Sequence, residues 1–317
     1  MGEFELIRRY FAAALCAQGG DGVVCGIGDD CALLALPVGE QLAVSTDTLV
    51  AGVHFPDACD AFLLGQRALA VSASDLAAMG ATPLAFTLAL TLPTASEIWL
   101  AEFARGLQLM AQNCSLALVG GDTTRGPLSL TLTVFGRVPA GQALLRSGAQ
   151  VGDLLCVGGE LGDAAGALPL VLGQCEAAAD IRDALLARYW SPQPQLALGQ
   201  ALRGRATAAL DISDGLLADC GHIAHSSQVA LQIELERIPL SAPLRALAGE
   251  EQARLCALGG GDDYRLAFTL PPALLPEIQR DWPEVRVIGR TLAGSGVQLL
   301  NASGQLIDPP RGGYQHF

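Results

Sequence analysis

Ala206-Thr207-Ala208-Ala209-Leu210-Asp211-Ile212-Ser213-Asp214-Gly215-Leu216-Leu217-Ala218-Asp219-Cys220-Gly221-His222-Ile223-Ala224-His225 runs from apolar to acidic and back to apolar within one short segment. Ala206 to Leu210 predicts a strand ending at Asp211. Leu216 to His225 places Leu217, Cys220 and Ile223-Ala224 on one face and predicts a helix. A strand that delivers a turn and then a helix is a building unit of layered α/β architecture. Ser213 is expected to cap the helix, with Asp211 and Asp214 projecting from the turn. The helix N-terminus would add free N–H groups and a positive dipole end suited to a phosphate.

The same pattern of an aspartate among Gly, Ser and Thr recurs along the chain. Gly28-Asp29-Asp30 follows the apolar run Val23 to Ile27, and Ser45-Thr46-Asp47-Thr48 follows Leu42 to Ser45. Ser74-Asp75 closes a helical pattern over Phe62 to Leu76. Gly120-Gly121-Asp122-Thr123-Thr124 follows Leu116 to Val119, and Gly261-Asp262-Asp263-Tyr264 stands alone. Leu84 to Leu92 and Leu128 to Val138 read as strands. Thr94 and Glu97 read as a capping box for a helix buried through Trp99, Phe103, Leu107 and Met110. Leu154 to Val157 opens a second unit, with helices around Arg182 to Arg188 and Leu196 to Leu202, and further strands at Phe268 to Leu270 and Val285 to Gly289. The expectation is an α/β (α+β) chain of two domains facing one cleft, residues 1–138 and 150–317, joined through residues 139–150.

Carboxylates about 4 Å apart repel by roughly 4 kcal/mol at an effective dielectric of 20, so clustering them calls for a cation. Hard oxygen donors point to Mg²⁺ or Mn²⁺ with phosphates. No EF-hand, zinc spacing or kinase signature is present. All 19 basic residues are arginine. The absence of lysine excludes a P-loop and a lysine Schiff base. Arg146, in Leu145-Arg146-Ser147-Gly148, is a candidate phosphate clamp.

Net charge is −13 and the pI about 4.6, which argues against nucleic acid and anionic membranes as partners. It also means that phosphates can bind only where cations reverse the local field. No apolar run reaches the length of a membrane span. Met1 to Phe11 reads as an amphipathic helix rather than a signal peptide. Nine cysteines without a C-x-x-C pair suggest reduced thiols and a cytoplasmic location.

Taken together, Gly26-Ile27-Gly28-Asp29-Asp30-Cys31-Ala32, Ser45-Thr46-Asp47-Thr48, Gly52-Val53-His54-Phe55 and Ser74-Asp75-Leu76-Ala77-Ala78-Met79-Gly80-Ala81 resemble the thiamine-monophosphate kinase family. Gly120-Gly121-Asp122-Thr123, Asp211-Ile212-Ser213-Asp214-Gly215-Leu216 and the tail Gly313-Tyr314-Gln315-His316-Phe317 extend the resemblance over essentially the whole chain, in order. It implies the two-domain subunit of the aminoimidazole ribonucleotide synthetase superfamily and a homodimer paired through N-terminal sheets. It also implies ATP-dependent phosphorylation of thiamine monophosphate to thiamine diphosphate. By that resemblance Asp30, Ser45 or Thr46, Asp47, Asp75, Asp122, Asp211 and Asp214 would hold several Mg²⁺ ions, with Asp30, Asp122 and Asp214 closest to catalysis. Gly121, Asp122, Arg146 and Ser213 would contact ATP. His54, Asp262, Tyr314 and Phe317 would contact the substrate.

The sequence departs from the family where Asp262 and Arg265 replace glutamates, where Ala51 stands for glutamate and where Ser72 stands for asparagine. The last two are expected to leave the metal carboxylates untouched. Two superfamily alternatives lack support: selenophosphate synthetase needs a lysine, and the hydrogenase-maturation dehydratase ends in cysteine. An aminoimidazole ribonucleotide synthetase-like activity and a non-catalytic nucleotide- or metal-binding scaffold are the remaining alternatives.

Overall fold

The computed structural model describes residues 3–308. The chain divides into two compact units, Met1–Leu76 with Ala81–Gly141, and Ala77–Gly80 with Gln142–Phe317. Among the described residues no helix is long and apolar enough to cross a membrane, and all nine cysteines are free thiols.

The first unit opens with α1 (Glu3–Leu6), which continues as a π-helical turn over Ile7–Ala12. The hairpin β1 (Val23–Cys25) and β2 (Leu33–Leu34) follows, then β3 (Glu40–Val50), α2 (Ala61–Ala78), β4 (Thr82–Leu92), α3 (Glu97–Cys114), β5 (Ala117–Arg125) and β6 (Ser129–Pro139). The four long strands form one sheet in the order β3-β6-β4-β5, antiparallel except for the parallel β4/β5 pair. Strict alternation on β6 splits its side chains. Leu130, Leu132, Val134 and Val138 are buried, and Thr131, Thr133, Phe135 and Arg137 face the other way. The buried face lies against α2, where a Cβ at Gly136 would meet Leu76 at 2.9 Å. α2 and α3 cross closely: a Cβ on Gly106 would lie 1.9 Å from the Phe62 carbonyl oxygen, so only glycine fits there. The N-cap of α3 is Ser96, which accepts from the Trp99 N–H at 3.4 Å, and not the expected Thr94. Thr94 lies two residues before the N-cap, outside the helix.

The second unit contains β7 (Leu154–Val157), α4 (Asp163–Val171), α5 (Ala179–Trp190), α6 (Leu196–Leu202), β8 (Ala208–Asp211), α7 (Leu216–Ser227) and β9 (Ala230–Glu234). It continues with α8 (Ala242–Gly259), β10 (Leu266–Leu270), α9 (Leu275–Asp281), β11 (Arg286–Leu292), β12 (Gly296–Leu300) and β13 (Leu306–Ile307). Its sheet has the order β13-β12-β9-β11-β7-β10-β8 and is antiparallel except at β12/β9. Cys156 of β7, Phe268 and Leu270 of β10 and Ala209 of the edge strand β8 pack on Leu198 and Leu202 of α6 and Ile278 of α9. Both units therefore layer helices on largely antiparallel sheets, the α+β form of the expected class.

Candidate active site

In the first unit Ser45 and Asp47 lie opposite Val134 and Leu132 of β6, on the helix-covered face of the sheet. Asp75, near the end of α2, accepts a hydrogen bond from the Ser45 hydroxyl. Burial, and then the neighbouring Asp75 charge, push the Asp47 carboxyl up to about 6, while a hydrogen bond from Ser72 pulls it back. Ser72 and Asp75 are three residues apart on α2 and so share the face turned to β3. Two expectations change here. Ser72, the replacement for the family's asparagine, touches a candidate metal carboxylate directly. Thr46 is not brought to this cluster. With a side-chain period of two it falls on the opposite face, its hydroxyl 2.9 Å from that of Thr133.

The Ser45, Asp47 and Asp75 set is a fit for a hard divalent cation: all donors are oxygens, and the two acids repel each other without one. Among the described residues no group of three or more His, Cys, Asp or Glu is arranged to hold a metal. Two carboxylates are what Mg²⁺ would need from the chain, since it completes its shell with water and phosphate oxygens.

Asp30 is exposed in the β1–β2 loop, its N–H bonded to the Asp29 carboxylate at 3.0 Å. Asp122 is exposed on β5, just past a bulge where the β4/β5 register shifts between Phe86 and Thr87. Such a bulge re-aims the residues that follow it. Gly121 has φ +151°, and a Cβ there would lie 1.9 Å from the Leu88 carbonyl oxygen. Gly121, Asp122, Leu88 and Phe11 line a small hollow of about 40 Å³. His54 follows β3. Its Nδ1 accepts the Val50 N–H at 3.0 Å, so in the neutral ring Nε2 carries the proton.

In the second unit Asp211 is buried at the end of β8, and Ser213 and Asp214 follow in the loop before α7. The structure corrects the expected phosphate-binding helix terminus. The N–H groups of Ser213, Asp214 and Gly215 all donate to one oxygen of Asp219, at 3.0, 3.0 and 3.1 Å. The N-cap position is Gly215, and Ser213 makes no capping bond. Asp219 is 3% exposed, and burial pushes its carboxyl up to about 6, against the pull of the amide hydrogen bonds. Sequence reasoning missed this residue. Its signal was a carboxylate in the first turn of a predicted helix, able to reach back to the free amides.

The Gly261–Tyr264 loop packs beside this turn, with the Asp262 N–H on the Ser213 carbonyl and the Tyr264 N–H on the Ile212 carbonyl, each at 2.8 Å. Asp262 accepts from the Tyr264 hydroxyl at 2.8 Å. Asp263 turns inward: Oδ1 accepts the Gly162 N–H at 2.8 Å, and Oδ2 is buried without a partner. Burial raises the Asp263 carboxyl well above the ordinary carboxylate range. Arg146 has an exposed side chain, on a loop pinned by the Ser227 hydroxyl to the amides of Gly148 and Ala149 and the carbonyl of Arg146, each at 3.1 Å. Tyr314 and Phe317 lie outside the described residues.

Residues 28–138 match the family described as AIR synthase related protein, N-terminal domain, and residues 150–300 match its C-terminal domain. The chain is 48% identical to the thiamine-monophosphate kinase of Escherichia coli K12 over 85% of this chain and 83% of that one. Its fold matches the crystal structure of the thiamine-monophosphate kinase from Stenotrophomonas maltophilia K279a with a TM-score of 0.87, at 46% identity, covering 97% and 98% of the two chains. A further structure, AaThiL complexed with AMPPCP and TMP, matches with a TM-score of 0.79 at 30% identity over 89% of each chain. The chain belongs to the thiamine-monophosphate kinase family.

Proposed function

We propose that this chain transfers the γ-phosphoryl group of ATP directly to the phosphate of thiamine monophosphate, giving thiamine diphosphate and ADP. The observation that carries this reading is the 48% identity with the Escherichia coli enzyme across 85% of the chain. The related AaThiL, which binds AMPPCP and TMP, supports the same substrate pair.

The acceptor is a phosphate oxygen already ionised at neutral pH, so the chain need not supply a strong base. Its task is to position two anions and offset their charge. Ser45, Asp47 and Asp75 hold metal in the first unit, with Asp30 and Asp122 beside them in role. Asp211 and Asp214 do so in the second. Bound Mg²⁺ would neutralise the charge that develops on the phosphoryl oxygens. Gly121, Asp122, Ser213 and Arg146 contact ATP. His54, through its Nε2–H, and Asp262 contact thiamine monophosphate. Residues 1–138 would supply most of the nucleotide and metal contacts and the dimer contact, and residues 150–317 would add Asp211, Ser213, Asp214 and Asp262.

The protein acts as a cytoplasmic homodimer in this reading. The dimer is supported by Leu42 and Val44 on β3, which are 45% and 53% exposed. Incubation with ATP, Mg²⁺ and thiamine monophosphate, with thiamine diphosphate as product, is the direct test. Asp214→Asn is expected to cut turnover at least a hundredfold at low Mg²⁺. Near-normal turnover of that variant would sink the metal assignment.

A further inference from the structure

A cavity of about 420 Å³ in the second unit uses none of the residues assigned above. It opens at the end of β7, where Gly158 and Gly159 form its floor. Gln195 holds that floor in place, donating to the Gly158 carbonyl at 2.7 Å and accepting the Leu266 N–H at 2.8 Å.

Four arginines line it, each from a different element: Arg188 of α5, Arg245 of α8, Arg265 just before β10 and Arg286 at the start of β11. Only two acids, Glu160 and Glu284, share the lining, which leaves a surplus of two positive charges in a chain of net charge −13. Part of that charge is already engaged. Arg188 lies 3.6 Å from Glu160 and 3.4 Å from Asp163, Arg245 lies 3.2 Å from Glu250, and Arg286 donates to the Val285 carbonyl at 3.1 Å. Arg265 makes no salt bridge among the described residues. Its burial and then the nearby Arg188 disfavour its charge, against the pull of Asp263, Asp163 and Glu160. Arg188 beside the buried Arg265 is a like-charge pair, and an anion bound between them would offset that repulsion.

We propose that this cavity is an anion site that takes a phosphate-bearing small molecule without a metal ion. Guanidinium groups supplied to one cavity by four elements suit the tetrahedral oxygens of phosphate, which each can bridge through two N–H donors. The volume falls in the range of small-ligand pockets, so an organic phosphate fits as well as the inorganic anion. Arg265, where the family usually carries glutamate, makes the site a feature of this chain.

The experiment is calorimetric titration of the full chain in EDTA, without ATP or thiamine monophosphate, so that the carboxylate clusters hold no metal and repel phosphate. The probes are inorganic diphosphate and ribose 5-phosphate. Binding of either supports the proposal, and the tighter one identifies the source. Arg286→Gln and Arg245→Gln, both at the surface, should each weaken binding about tenfold or more, as loss of a charge-assisted hydrogen bond implies. Arg146→Gln should leave it unchanged. Circular dichroism confirms that each variant is folded, and the unmodified chain remains decisive on its own. No binding of either probe at millimolar concentration, or loss of binding in Arg146→Gln but not in the cavity variants, overturns the proposal.

Discussion

Asp262 and Asp263 are neighbours with opposite fates. Asp262 adopts a left-handed conformation, φ +62°, and keeps its carboxylate at the Tyr264 hydroxyl. Asp263 buries an oxygen with no partner and holds its proton far above the usual range. Its folded pKa is raised above the unfolded value of about 3.8. The folded state therefore binds more protons than the unfolded one, and this residue's contribution to stability falls as pH rises from about 4 toward and past neutrality. Asp263→Asn keeps the acceptor for Gly162 and removes the charge. In EDTA its thermal midpoint is expected to exceed that of the parent, by a margin that grows between pH 5 and pH 8. A constant or shrinking margin would contradict this account. The pairing of acids was legible in the sequence, but which one faces inward was not. That choice follows from the backbone turn at Gly261, where Ser213 lies close on the other side.

Among the elements, three of the six acidic segments rich in Gly, Ser and Thr lie within regular structure. Ser45 to Thr48 lies within β3, Asp75 lies within α2, and Gly120 to Thr124 lies within β5. Glycine, serine and threonine favour turns locally, yet pairing along eleven residues of β3 with β6 overrides that preference. The strand period then separates Ser45 from Thr46, which local composition could not do. The Ile212–Gly215 segment is a true loop, and its conformation depends on Asp219. Asp219→Ala leaves three amides without their acceptor, a loss on the order of 3 kcal/mol. A thermal midpoint several degrees lower is expected, with kcat reduced at least tenfold and Asp219→Asn intermediate. An unchanged midpoint would mean that the loop does not need this carboxylate. Gly106→Ala drives a methyl group into the Phe62 carbonyl where α2 crosses α3. Overpacking of this kind costs about 1–3 kcal/mol, and the check is denaturant unfolding with an unchanged m-value.

At the scale of the molecule, the four-stranded sheet covers one face with helices and only part of the other. The β1–β2 hairpin packs Val23 and Leu34 against Leu84, Ala85, Ala117 and Phe135, while Leu42 and Val44 on β3 stay exposed beyond it. Under the proposed homodimer, Val44→Arg places a charge in the contact. Light scattering should then show a monomer at micromolar concentration where the parent chain is a dimer. A dimer unaffected by the change would move the contact elsewhere. The sequence by itself determined the family, the mixed helix-and-sheet class and the acidic, lysine-free chemistry, because these follow from residue types and their order. Helix and strand periodicity also placed α2, α3, β4 and β6 to within a few residues. Only the tertiary structure decided which acids meet, that Ser72 touches Asp47 and that Asp219 occupies the amides expected to await a phosphate. It alone gathered four arginines from distant segments around one cavity. All but the Asp219 contact, which spans four to six positions, join residues far apart in sequence, and no local preference of either partner specifies those.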